Sequence, residues 1–107
     1  MTNTFARHLE VTGAGAHDLA MRGWTSDNAD PDNMLYFLLA SENAHPGGQN
    51  VAFYRKAFVQ GQLVWARESS DKSRREEYYR AAQRMIAEDA PWVPLAHARI
   101  PVAARRD

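Results

Sequence analysis

The sequence predicts a single domain of mixed α/β class over residues 1–107, and three observations predict it. Residues 71–89 carry an apolar stripe at helical spacing, with Tyr78, Ala82 and Met85 in line and Tyr79 and Ile86 widening it. Residues 18–22 alternate instead, Asp18, Ala20 and Arg22 against Leu19 and Met21, which is the period of a half-buried strand. Trp92 to Ala98 is a short apolar run bounded by Pro91 and reads as a second strand. A chain of 107 residues has room for one such domain, whose core would bury about two-thirds of the surface exposed on unfolding.

In chain order, Thr4 to about Val11 is expected to form a short helix, with Phe5 and Leu9 on one face and Gly13-Ala14-Gly15 ending it. The strand from His17 to Trp24 then runs into a loop, Thr25 to Asp32, rich in turn formers, where Pro31 turns residue 30 away from helical geometry. Met34 to Leu39 is apolar almost all round, so a short, largely buried helix is expected there, capped by Asp32 or Asn33. Ser41 to Asn50, with His45-Pro46-Gly47-Gly48, reads as a surface loop. A helix over about Arg55–Glu68 places Val59, Leu63 and Ala66 together, although Gly61 in its middle costs about 1 kcal/mol against alanine. The helix over 71–89, with Ser70 as its expected cap, must stop before Pro91. Pro94 makes the following strand an edge or a bulged one, which Ile100-Pro101-Val102-Ala103 extends.

Composition narrows the function. Thirteen basic and thirteen acidic side chains cancel, so no net charge gathers a nucleic acid or an anionic membrane. The longest apolar run, Met34 to Ala40, is far too short to be inserted across a bilayer. With no cysteine there is no disulfide, thiolate metal site or thiol catalysis. His8, His17, His45 and His97 share no ligand spacing, the serines lie in no nucleophile elbow, and Gly47-Gly48 lacks the lysine and helix of a phosphate loop. No enzyme, metal or cofactor is therefore expected.

Two groups are left. Of the acids at Asp18, Asp27, Asp30 and Asp32, the last two suit turn formation and helix capping, and proline with no central glycine argues against a calcium loop. Asp27 follows the first strand beside Trp24, where a carboxylate next to an aromatic wall can meet a ligand's ammonium group. Most aromatic residues, among them Tyr36, Phe37, Phe53, Phe58, Tyr78 and Tyr79, suit a core, whereas Trp24, and less so Trp92, suit a ligand wall.

Several segments together carry a resemblance. They are His17-Asp18-Leu19, then Gly23-Trp24-Thr25-Ser26-Asp27-Asn28-Ala29-Asp30-Pro31-Asp32-Asn33, Ser41-Glu42-Asn43, Ala81-Ala82-Gln83, and Ala87-Glu88-Asp89-Ala90-Pro91-Trp92-Val93-Pro94-Leu95-Ala96-His97. In this order they resemble the C-terminal region of the family 5 extracellular solute-binding proteins, which serve dipeptide, oligopeptide, nickel and heme importers, and most closely the dipeptide branch. The resemblance implies part of the second lobe of a class II periplasmic-binding-protein-like fold, in the solute-binding component of an ABC transport system. It implies a peptide or other small solute as ligand, an ABC permease as partner of the full receptor, and a periplasmic location for the parent family. It also implies that Asp27, matching the aspartate of the Trp-Thr-x-Asp segment, holds the peptide's free α-amino group. The family's proteins are several times longer, with two lobes that close over the ligand, and the segment around Gly61 is a residue longer than the usual pattern.

Two further expectations follow. Strand edges that the rest of a receptor would cover are expected to drive self-association into a homo-oligomer. Met1 to His8 lacks the basic start and apolar stretch of a secretory signal, so the chain as written would stay in the cytoplasm. The alternative function is accordingly a stand-alone cytoplasmic structural or interaction protein that has kept the fold and lost transport.

Overall fold

The computed structural model describes residues 4–99 and 101–105. Among the described residues there are four helices: α1 (Phe5–Gly13), α2 (Pro31–Leu39), α3 (Ala57–Glu68) and α4 (Lys72–Asp89), with a 3-10 turn at Ser41–Asn43. α3 and α4 are joined by a short link and pack along their length, and α2 lies against α3. The core sits in this three-helix unit. Val59, Leu63 and Ala66 of α3 meet Tyr79 and Ala82 of α4 and Tyr36 and Ala40 from the α2 side, with Tyr78, Met85 and Ile86 packed around them. These are the stripes anticipated on 55–68 and 71–89. Leu63 is fully buried, a contribution of about 2 kcal/mol from area alone.

The helix starts differ from expectation by one to three residues. α2 is capped by Asp30, whose side chain accepts the Asp32 N–H, because Pro31 occupies the first helical position and needs no donor there. α4 is capped by Asp71, which accepts from both Ser73 and Arg74 N–H, so Ser70 lies one residue too early. α4 ends at Asp89, and its C-cap Ala90 lies in the left-handed region at φ 47°. Asp89 there accepts from the Tyr54 hydroxyl at 2.7 Å and lies 3.2 Å from Lys56 Nζ. The Tyr54 hydroxyl and then Lys56 lower the Asp89 carboxyl, while burial, then Asp89, push the Tyr54 phenol up.

Segment 41–50 is less of a surface loop than expected. Ala44 and Asn50 are fully buried. The Asn50 amide donates to Ala40 and Tyr54 carbonyls and accepts the Tyr54 N–H, closing the turn onto the end of α2. Gly48 has no room for a side chain, since a Cβ would come within 2.1 Å of the Asn43 carbonyl oxygen.

α1 does not bury the face that Phe5 and Leu9 share, and both are exposed. It holds the following segment by polar contacts: Arg22 Nη1 donates to the buried Thr12 hydroxyl at 2.8 Å, and His8 Nε2 lies 3.0 Å from the Met21 carbonyl oxygen. Among the described residues no strand ladder forms. Residues 16–26 and 91–99 run without regular secondary structure or ladder partners, although their alternation and apolar content are those of strands. Ile100, in the expected continuation, lies outside the described residues. These segments expand the molecule: its radius of gyration is 16.0 Å, against about 13 Å for a compact chain of this length.

Candidate ligand-binding site

Both irregular segments contribute to a groove of about 1200 Å³, lined by 17–25, 51–53 and 90–98, with Met34 and Leu38 of α2. Trp24 and Trp92, the two aromatic residues singled out as ligand walls, both line it, one from each segment. Trp24 is about one-third exposed and leans on Phe37 of α2, the ring centroids 5.2 Å apart at 38°. Phe37 is thus a second layer behind the site rather than a core residue, and Phe58 is likewise exposed. His17 also lines the groove, and among the described residues its buried Nδ1 has no hydrogen-bond partner.

Three carboxylates cluster at the start of α2 and meet different fates. Asp30 caps the helix and binds Arg75 of α4, whose Nη2 lies 2.6 and 2.9 Å from its two oxygens. The Arg75 guanidinium, with the Asp32 N–H second, holds the Asp30 carboxyl below its ordinary range. Asp32 faces Arg67, Nε to Oδ2 3.8 Å, and the Arg67 guanidinium also stacks over the Tyr36 ring at 4.4 Å. Tyr36 in turn donates to Glu42. Asp27 is exposed, and among the described residues no cation pairs with it. Its contacts are to Asn33: the Asp27 N–H donates to Asn33 Oδ1 at 3.2 Å, and Asn33 Nδ2 donates to Asp27 Oδ2 at 3.4 Å.

Trp24 is therefore on the groove wall, and Asp27 lies three residues along the chain on the loop that leaves it, outside the lining itself. The loop is held by local bonds, Asn28 Oδ1 accepting the Asp30 N–H and Ala29 turning at φ 57°. Sequence reasoning missed Arg75, which lies 45 residues from Asp30, and Asn33, whose side chain was weighed only as a cap. Among the described residues no group of three or more metal-ligating side chains comes together, and no helix is long and apolar enough to cross a membrane.

No family model matches the chain. Individual proteins do. It is 39% identical over 92 residues to di/tripeptide-binding protein 4 of Pseudomonas aeruginosa, covering 86% of this chain and 17% of that protein. Against heme-binding protein A of Haemophilus influenzae it is 38% identical over 97 residues, 91% of this chain and 17% of the relative. Among solved structures it superposes on the ABC transporter-associated periplasmic binding protein DppA of Helicobacter pylori, in complex with the peptide STSA. The TM-score is 0.85 at 40% identity, over 89% of this chain and 19% of that one. The chain spans about a sixth of the length of the curated relatives it matches. The mixed α/β fold is that of the parent protein, of which these residues form the largely helical part of one lobe. The chain belongs to the family 5 extracellular solute-binding proteins of ABC transporters and corresponds to their C-terminal region.

Proposed function

We propose that residues 1–107 form a single domain that supplies one wall of a peptide-binding site in an ABC importer's periplasmic receptor, the permease being the partner of the whole receptor. Asp27 binds the ligand's ammonium group and Trp24 packs on its apolar part. The role is binding, not catalysis. One observation carries the assignment: of the three carboxylates at the start of α2, Asp30 is bound by Arg75 and Asp32 lies 3.8 Å from Arg67, whereas Asp27, three residues along the chain from Trp24, is exposed and has no cation partner among the described residues. The printed ligands of the relatives, di- and tripeptides among them, fit an ammonium-bearing ligand.

One wall binds weakly. An exposed ion pair contributes about 0–1 kcal/mol, and a dissociation constant near 1 mM needs about 4 kcal/mol in all. Titration of the isotope-labelled chain with a panel of dipeptides is expected to shift the amide resonances of Trp24 to Asn28, with a dissociation constant around 1 mM. Asp27→Ala is expected to abolish the shifts. No shift with about 10 mM dipeptide refutes the assignment and leaves the stand-alone interaction protein. The unladdered segments 16–26 and 91–99 also favour association between copies, which light scattering at tens of micromolar tests; a clean monomer overturns that part.

A further inference from the structure

Trp24 and Asp27 sit on a segment without a strand ladder, so their own backbone does not set the distance between the indole and the carboxylate. α2 does. Asn33, the third residue of α2, reaches back to Asp27 with both ends of its amide, accepting the backbone N–H and donating to the carboxylate. One turn on, Phe37 backs the Trp24 ring. Residues four apart lie on one helix face, about 5–6 Å between their Cβ atoms, so a single stripe of α2 touches both ligand-side residues.

Neither side chain has another evident task. The α2 cap is supplied by Asp30, and Asn33 contributes only its backbone N–H to it. Phe37 is 42% exposed and stands outside the core. The helix that carries them is itself fixed, because Asp30 at its start is clamped by Arg75 of α4.

We infer that Asn33 and Phe37 are the positioning pair of the site, Asn33 aiming the Asp27 carboxylate and Phe37 setting the Trp24 wall. This rests on the reading of Asp27 and Trp24 as ligand-side residues. The pair acts on different parts of a ligand, so its two halves are separable by measurement.

The test compares a free-amine dipeptide with its N-acetylated form on the full chain, alongside amide hydrogen exchange without ligand. Asn33→Ala is expected to lower protection of the Asp27 N–H about fivefold, the size of one net hydrogen bond. The preference for the free amine should fall by a similar factor, while the urea midpoint moves by no more than that one bond accounts for. Asn33→Asp, which keeps the acceptor, retains the exchange protection. Phe37→Ala is expected to weaken both peptide forms alike and to shift the Trp24 indole resonance. If Asp27→Ala removes the free-amine preference and Asn33→Ala leaves preference and protection at wild-type values, the positioning inference alone is overturned. If Asp27→Ala leaves the preference intact, the ligand assignment falls first and takes the inference with it.

Discussion

Breaking the Asp30–Arg75 contact should unfasten three helices at once. Asp30 caps α2 through the Asp32 N–H at 2.8 Å and holds Arg75 of α4, while Arg75 Nε donates to the Ala66 carbonyl near the end of α3 at 3.1 Å. A cap contributes about 1 kcal/mol. The ion pair, with its side chains about one-third exposed, falls between the surface value and that of a buried charge-assisted bond, about 1–2 kcal/mol. Asp30→Ala should therefore cost about 2–3 kcal/mol and Arg75→Ala about 2 kcal/mol, with the double variant about 1–2 kcal/mol better than their sum. The folded carboxyl is held below its ordinary value of 3.8, so the folded state binds its proton less readily than the unfolded chain. The stabilisation is then fully present above that ordinary value and lost as the pH falls through the lowered folded value. Asp30→Asn should accordingly cost more at pH 7 than at about pH 3. Urea denaturation of the four cycle members at pH 7 reads the coupling, and additivity within about 0.3 kcal/mol refutes it.

Two backbone-level predictions accompany it. Gly61→Ala should raise stability by about 0.5–1 kcal/mol, because the nearest neighbour of the new Cβ is the Trp65 ring, at an ordinary 3.7 Å; a lower melting temperature contradicts this. Asn50→Ala should cost about 2–4 kcal/mol in urea titration, since it strands the buried partners of a three-bond amide, and a loss under about 0.5 kcal/mol would mean that water replaces it.

The helices were legible because their burial is periodic: the stripes Val59-Leu63-Ala66 and Tyr79-Ala82 are the α3–α4 interface itself. Caps were less legible, since Ser70 and Asp71, or Asp30 and Asp32, are equally good acceptors by type. Only Pro31 at the first helical position pointed to Asp30. The buried turn at Ala44 and Asn50 was hidden because its residues are those of any solvated loop, and their burial follows from closure onto Ala40 and Tyr54. Strand character at 17–24 and 92–98 was visible as alternation, but a ladder belongs to a pair of segments, and neither has a ladder partner among the described residues. At the proposed site, Trp24 and Asp27 were singled out from residue type and the family pattern. Asn33 and Arg75 were not, because their roles depend on which neighbours the folded chain brings within hydrogen-bond reach.

That division bears on how the site keeps its shape. Leu19 is 95% and Val93 77% exposed, so the segments that line the groove gain little from burial within this chain and sit at the low-stability end of the molecule. The precision of the proposed ligand wall must then come from the helical unit. On the Trp24 side it does, through Phe37 and Asn33 on α2 and through Asp30 to Arg75 on α4. In the other segment, Trp92 lies three residues past the end of α4 at Asp89, and among the described residues no aromatic partner backs it. The two segments are therefore unequally supported: the one that carries Trp24 and leads to Asp27 is backed by a packed helix, and the one that carries Trp92 takes its position from the end of α4.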